Sequence, residues 1–229
     1  MLLSTQSLTY SYPGRSPHER PALADVSIEI PSGDRVAIVG PSGAGKTSLL
    51  YCLAGVLPPA KGDVYLDGSP FGSLRAADRA SVRLKKFGFI FQFGELLAEL
   101  TLRENVTLPL QLLGWKMKQS AARADELLTR LGIADVADRR PSLVSGGQAQ
   151  RAAVARAVVH GPEILFADEP TGSLDALAGH ETMNVLLSLA SESGTTLVVV
   201  THNDAVAELL DRRFFVTDGV VTNERLSCP

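Results

Sequence analysis

Long apolar runs are missing from this chain. The longest, Leu49 to Leu57, is broken by Gly55 and falls well short of the roughly 20 residues that a membrane-crossing helix needs. If the protein serves a membrane, another chain must cross it. Cysteine is scarce. Cys52 and Cys228 form no metal or redox spacing, and Cys52 sits in an apolar run, where it reads as a buried thiol. A reducing cytoplasm is the natural compartment. No basic stripe is present and the net charge is −3, which argues against a nucleic-acid partner. A secretory leader is not expected either, because Met1 to Tyr12 alternates like a strand and lacks a basic start and an apolar block. There is no internal repeat and no low-complexity segment. What is left is a globular composition, 45% hydrophobic and 21% charged. Its 229 residues suffice for one large domain or a domain with an inserted lobe.

The most informative stretch is Gly40-Pro-Ser-Gly-Ala-Gly-Lys-Thr47, which fits G-x-x-x-x-G-K-[ST], the phosphate-binding loop. A nucleoside triphosphate brings several negative charges that must be held without a bulky cage. Gly43 and Gly45 let the backbone wrap closely and turn its N–H groups inward. The helix that starts there adds its positive dipole end. Lys46 reaches the β- and γ-phosphates, and the Thr47 hydroxyl ligates Mg²⁺. The ordinary alternative is a Gly-rich turn. Context argues against it: Arg35-Val-Ala-Ile-Val39 reads as a buried strand before the loop, and Thr47 to Ala54 is helix-compatible after it. Strand, loop and helix form the confirming arrangement.

In chain order, Leu2 to Tyr12 and Ala22 to Ile30 read as strands, the second with Val26, Ile28 and Ile30 on one face. They form an antiparallel patch ahead of the nucleotide core. Asp63 to Leu66 is a short strand, Ala76 to Leu84 a helix, and Phe87 to Phe91 a strand followed by Gln92. Leu96 to Leu113 is apolar, and the spacing of Ala121, Ala124, Leu127, Leu128 and Leu131 predicts an amphipathic helix. Ser145-Gly-Gly-Gln148 opens an Ala-rich helix running to about His160. Its start is either a simple cap or a second anion-binding helix terminus. Ile164 to Ala167 is an apolar strand ending in Asp168-Glu169. Two acids there suit Mg²⁺ coordination by Asp168 and polarisation of an attacking water by Glu169. Ala176 to Ser193 reads as a helix with Leu186, Leu187 and Leu189 buried. Thr195 to Val200 reads as a central strand ending at Thr201-His202, Asp204 to Leu210 as a last helix, and Arg213 to Val221 as a hairpin around Asp218-Gly219. In open α/β sheets ligands lie beyond the carboxyl ends of the strands, which singles out Gln92, Asp168, Glu169 and His202. His18, His160 and His180 lack such a setting and read as structural.

Together these motifs resemble the ATP-binding cassette (ABC) ATPases along nearly the whole chain. Gly40 to Thr47 resembles the Walker A motif, Gln92 the Q-loop, Val144-Ser-Gly-Gly-Gln148 the LSGGQ signature, and Ile164 to Glu169 the Walker B motif. Ser173-Leu-Asp175 is similar to the D-loop, His202 to the switch histidine, and Tyr12 falls where the family stacks an aromatic on adenine. Val144 replaces the usual Leu, and Asn203 the commoner Asp. The resemblance implies an α/β fold. Residues 1–92 and 161–229 would form a RecA-like P-loop NTPase core with an antiparallel β subdomain, and residues 93–160 an inserted helical subdomain. It implies ATP and Mg²⁺ as ligands. Gly40, Ser42, Gly43, Ala44, Gly45, Lys46, Thr47, Ser48 and Tyr12 would hold the nucleotide within one subunit. Ser145, Gly147, Gln148 and Asp175 would reach it across a head-to-tail dimer. Thr47, Gln92 and Asp168 would serve the metal, and Glu169, His202 and Gln92 catalysis. The implied partners are a second copy of the chain and integral membrane permease subunits, with the ATPase on the inner face of the cell membrane. Ala167 to Asp175, Phe91-Gln92 and Leu100 to Asn105 are similar to the MacB, LolD and FtsE group. The cargoes of such systems include lipoproteins, antimicrobial compounds and haem, and an FtsE-like member would switch a membrane partner without moving cargo.

Overall fold

The structure, a computed structural model, describes residues 2–14, 19–91, 96–172 and 174–225. Gln92, Ser173, His18 and Cys228 lie outside the described residues. In chain order the strands and helices begin with β1 (Leu3–Tyr10), β2 (Leu23–Val26), β3 (Glu29–Ile30), β4 (Arg35–Val39), α1 (Lys46–Leu53), β5 (Lys61–Leu66), β6 (Ser69–Pro70) and α2 (Ala76–Lys86). They continue with β7 (Phe87–Ile90), α3 (Leu102–Leu112), α4 (Met117–Arg130), α5 (Gly146–Val158), β8 (Ile164–Asp168), α6 (Ala176–Ser193), β9 (Thr196–Val200), α7 (Asp204–Ala207), β10 (Arg212–Thr217) and β11 (Val220–Arg225). Internal contacts divide the chain into two compact units, Met1–Arg83 with Thr196–Pro229, and Leu84–Thr195.

The first unit holds an antiparallel sheet in the order β2-β1-β5-β6, with β3 also on β1. The segment from Ala22 to Ile30 is therefore two strands rather than one. At the break between them Thr5 Oγ1 donates to the Val26 carbonyl and accepts from the Ile28 N–H. Within β2, Asp25, with a left-handed φ of 53°, donates its N–H to Thr9 Oγ1 where the β1–β2 register shifts. Val26, Ile28 and Ile30 are all buried, as their alternation predicts. This unit also holds the strand order β11-β10-β4-β9. β4 pairs in parallel with both β10 and β9, and β10–β11 is an antiparallel hairpin. β4 and β9 are apolar on both faces, and all of β9 is buried, the pattern of strands covered on two sides. Helix α7 is shorter than the periodicity predicts and ends at Ala207.

The second unit contains the parallel pair β7–β8 and helices α3 to α6. α3 starts in a capping box: Thr101 Oγ1 accepts from the Glu104 N–H, and Glu104 accepts from the Thr101 N–H. Buried Asn105 ties down the chain before it, donating to the carbonyls of Leu97, Leu100 and Thr101 and accepting from the Leu97 N–H. Its amide is thus satisfied, as a buried polar group must be. Ala124, Leu127, Leu128 and Leu131 are buried along α4 at the expected helical spacing. α6 spans the predicted residues and ends at Gly194, whose φ of 65° suits a glycine C-cap. Met183, Leu186, Leu189 and Ala190 form its buried side, and Leu187 is only half-buried.

Cys52 is fully buried, and burial pushes its thiol from 9.0 up to about 12. At pH 8 this lowers the thiolate fraction roughly a thousandfold. In a Cys228→Ser variant, Cys52 should therefore stay almost unreactive to Ellman's reagent until denaturant is added. The native state holds this proton more tightly than the unfolded chain. Cys52 therefore contributes stability that is complete below about pH 9 and is lost as the pH rises towards 12.

Candidate active site

Strand β4 delivers the chain into the phosphate-loop sequence at Val39. Gly40 follows with a φ of 147°, and a Cβ there would lie 2.1 Å from the Val216 carbonyl oxygen on β10. Gly45, with a φ of 109°, precedes α1, and its Cβ would lie 2.5 Å from the Ala22 carbonyl oxygen. Both glycines are therefore demanded by backbone packing as well as by φ. Gly43, with a φ of 78°, faces open space. α1 starts with no side-chain cap and no acid in its first turn, so its positive end is available to an anion. Lys46 folds back over the loop, and its Nζ donates to the carbonyls of Gly40 at 2.9 Å and Pro41 at 3.0 Å. The loop thus holds a cation at its mouth.

A cleft of about 410 Å³ opens there, within the size range of small-molecule sites. Gly43, Ala44, Gly45, Lys46, Thr47, Ser48 and Tyr12 line it, so the structure brings most of the predicted nucleotide residues together. Gly40 and Ser42 do not line it: Gly40 acts from behind, against β10, and Ser42 is exposed. Tyr12 is anchored by a 2.8 Å hydrogen bond between its hydroxyl and Ser48 Oγ, and its ring meets Tyr10 edge-on at 5.1 Å. Sequence reading missed the rest of the wall, made by Arg20, Pro21, Ala22, Asp218 and Gly219. Gly219 donates its N–H to the Ala44 carbonyl at 3.0 Å and accepts from the Ala24 N–H at 2.9 Å. The available signal was the Asp218-Gly219 turn itself, which gives no hint of what the turn touches. The Arg20–Asp218 ion pair on this wall is exposed and worth little to stability.

In the second unit, β8 ends at Asp168 as predicted, and Glu169 follows with a left-handed φ of 48°. For a residue with a Cβ this costs about 1–3 kcal/mol, a kind of strain that clusters at active sites. A turn closes at once, the Gly172 N–H donating to the Glu169 carbonyl at 3.0 Å. Ser145 N-caps α5 in a capping box: its Oγ accepts from the Gln148 N–H, and Gln148 Oε1 accepts from the Ser145 N–H. Asp175 caps α6 through the Ala178 N–H at 2.9 Å. A Cβ on Gly147 would lie 4.0 Å from Ala178 Cβ, so the starts of α5 and α6 are neighbours. His202 is exposed just beyond β9 and does not line the cleft. Gln150, which the sequence did not single out, is buried one turn into α5.

A buried parallel strand that feeds a glycine loop into an uncapped helix is the architecture of a P-loop nucleoside triphosphatase. The family profile described as ABC transporter matches residues 23–172, and the chain belongs to that family. It is 40% identical over 215 residues to the ABC transporter ATP-binding protein YtrE of Bacillus subtilis strain 168, covering 94% of this chain and 93% of the relative. It is 43% identical to the lipoprotein-releasing system ATP-binding protein LolD of Syntrophotalea carbinolica, covering 87% and 88%. The ATP-binding cassette MJ0796, solved as a dimer in a post-hydrolysis state with ADP and Pi, superimposes with a TM-score of 0.91 at 35% identity over 100% of both chains. The chain is thus an ABC ATPase of the MacB/LolD group that binds and hydrolyses ATP, on a P-loop NTPase fold. Among the described residues, no helix is long and apolar enough to cross a membrane.

Gly40→Ala should test the packing of the loop directly. Its Cβ meets rigid backbone, so the variant should lose about 1–3 kcal/mol in chemical denaturation. ATP affinity measured by calorimetry should fall with it.

Proposed function

We propose that this chain is the ATPase subunit of an exporter or extractor, closing head-to-tail on a second copy around two ATP to drive a separate membrane permease. One observation carries the reading. Gly146 and Gly147 open α5 with ordinary φ, and a Cβ on either would find nothing closer than 4.0 Å. Among the described residues nothing requires glycine there, and each glycine weakens a helix by up to about 1 kcal/mol relative to Ala. Ser145 and Gly146 are exposed. A helix terminus kept bare in this way suits the close approach of something outside the chain, and a triphosphate held by another copy fits its dipole and N–H groups. The dimeric state of MJ0796 supports the same reading.

In this scheme the loop residues Gly40, Ser42, Gly43, Ala44, Gly45, Lys46, Thr47 and Ser48 hold the phosphates, and Tyr12 meets the base. Ser145, Gly147, Gln148 and Asp175 complete the partner copy's site. Glu169 polarises the attacking water, with His202 and Gln92 assisting. The Thr47 hydroxyl and the Asp168 carboxylate are hard oxygen donors of the kind that suit Mg²⁺, with Gln92 as a further amide oxygen. Mg²⁺ would neutralise charge developing on the phosphates. Residues 93–160 act as the helical subdomain and the remainder as the nucleotide core. The subunit works at the cytoplasmic face, bound to its permease. The names of LolD and of the macrolide export protein MacB, which this chain matches over 31% of MacB's length, favour a lipoprotein or an antimicrobial compound as cargo, with haem a further candidate.

Glu169→Gln should lower hydrolysis by about 10²–10⁴-fold, since a positioned base is worth that much, while ATP binding persists. Undiminished turnover would remove Glu169 from this role. Gly147→Ala should melt at the same or a higher temperature, yet lose ATP-induced dimerisation in light scattering. Normal dimerisation in that variant would overturn the reading of the bare helix start. A detergent pull-down from native membranes should yield a permease with about four spanning segments and a large extracytoplasmic domain. A soluble partner alone would contradict the transport role.

A further inference from the structure

Among the buried polar side chains outside the catalytic scheme, Gln150 stands out for the backbone it holds. Gln150 lies on the second turn of α5 and is only 2% exposed. Its Nε2 donates to the Pro170 carbonyl at 2.7 Å and reaches the Phe91 carbonyl at 3.4 Å. Both partners are acceptors, so the amide must present its NH₂ to them, and its orientation is set. These two carbonyls are not ordinary positions. Pro170 follows Glu169 directly, and Phe91 precedes Gln92 directly. Gln150 stands four residues beyond Gly146, one helical turn or about 6 Å along a rigid α5.

We infer that Gln150 is a positioning residue. Its amide pins the backbone on either side of the two groups that handle the attacking water, and links their placement to the start of α5. This rests on the catalytic role proposed for Glu169. The left-handed φ of 48° at Glu169 needs support from its surroundings, because relaxing it would swing the carboxylate away. The Glu169–Gly172 turn constrains one side, and the bond to the Pro170 carbonyl constrains the next peptide. A ligand that draws on the N-terminus of α5 therefore acts on the same rigid helix that holds Glu169 in register. Apolar packing alone would not do this, since a methyl group has no directional hold on a carbonyl.

Gln150→Leu keeps the volume and removes the donors. Gln150→Glu keeps the size and shape and replaces the NH₂ with a charged acceptor, and it decides the matter if the leucine variant does not fold. For each, turnover, KM for ATP and melting temperature are measured, alone and in a Glu169→Gln background, where slow phosphate release is followed with radiolabelled ATP. The expected result is a loss of about ten- to a hundredfold in kcat, since a misplacement near 1 Å can cost that much, with KM changed by less than about twofold. In the Glu169→Gln background the same change at position 150 should cost nothing further, because the carboxylate it positions is gone. Unchanged kcat in a folded variant overturns the inference. So does a loss that multiplies with that of Glu169→Gln, which is the result a merely structural role predicts. If Glu169→Gln alone keeps full activity, the catalytic reading fails instead. A loss there with none at Gln150 removes only the positioning role.

Discussion

The nucleotide cleft depends on one steric constraint: the phosphate loop is wedged between two other stretches of backbone. Val216 on β10 closes on Gly40, and Ala22 closes on Gly45, each at a distance no side chain could share. Gly219 then stitches these pieces together, donating to the loop at Ala44 and accepting from β2 at Ala24. The antiparallel sheet, the loop and the terminal hairpin are thereby locked as one wall. This explains why a loop made of flexible residues can present its N–H groups in a fixed array. Glycine is used for close approach, and the approach removes the freedom that glycine brings.

The second unit uses strain and capping in a related way. At α5 a capped start and uncrowded glycines coexist because different atoms are involved. Ser145 and Gln148 satisfy one another through the capping box, while the two glycines between them keep the surface bare. At the end of β8, Glu169 occupies a conformation that its own Cβ disfavours. A buried amide from α5 anchors the peptide beyond it. Helix α5 and the acidic turn are therefore joined directly by a hydrogen bond within the unit.

Much of this was readable in advance because its causes are local. The strand–loop–helix order around Gly40 to Thr47 follows from periodicity and turn chemistry within twenty residues. The span of α6, the buried alternation at Val26, Ile28 and Ile30, and the acidic end of β8 follow in the same manner. The split of Ala22–Ile30 into two strands was hidden, because at the break Thr5 Oγ1, from β1, donates to the Val26 carbonyl and accepts from the Ile28 N–H. The hold of Ser48 on Tyr12 was hidden for a similar reason.

The sequence by itself determined the chemistry: which residues can hold phosphate, which can ligate a hard cation and which can polarise water. Those capacities belong to side-chain types at short spacing, and folding does not alter them. Tertiary structure alone decided which backbone encloses the loop and which polar group steadies the acid. Val216 and Gly219 lie more than 170 residues from Gly40 and Ala44, the loop residues they touch, and Gln150 sits between Ala149 and Arg151 with no local pattern to distinguish it. Their roles arise from close approach between distant segments, and no local rule of spacing or propensity encodes a distance of that kind.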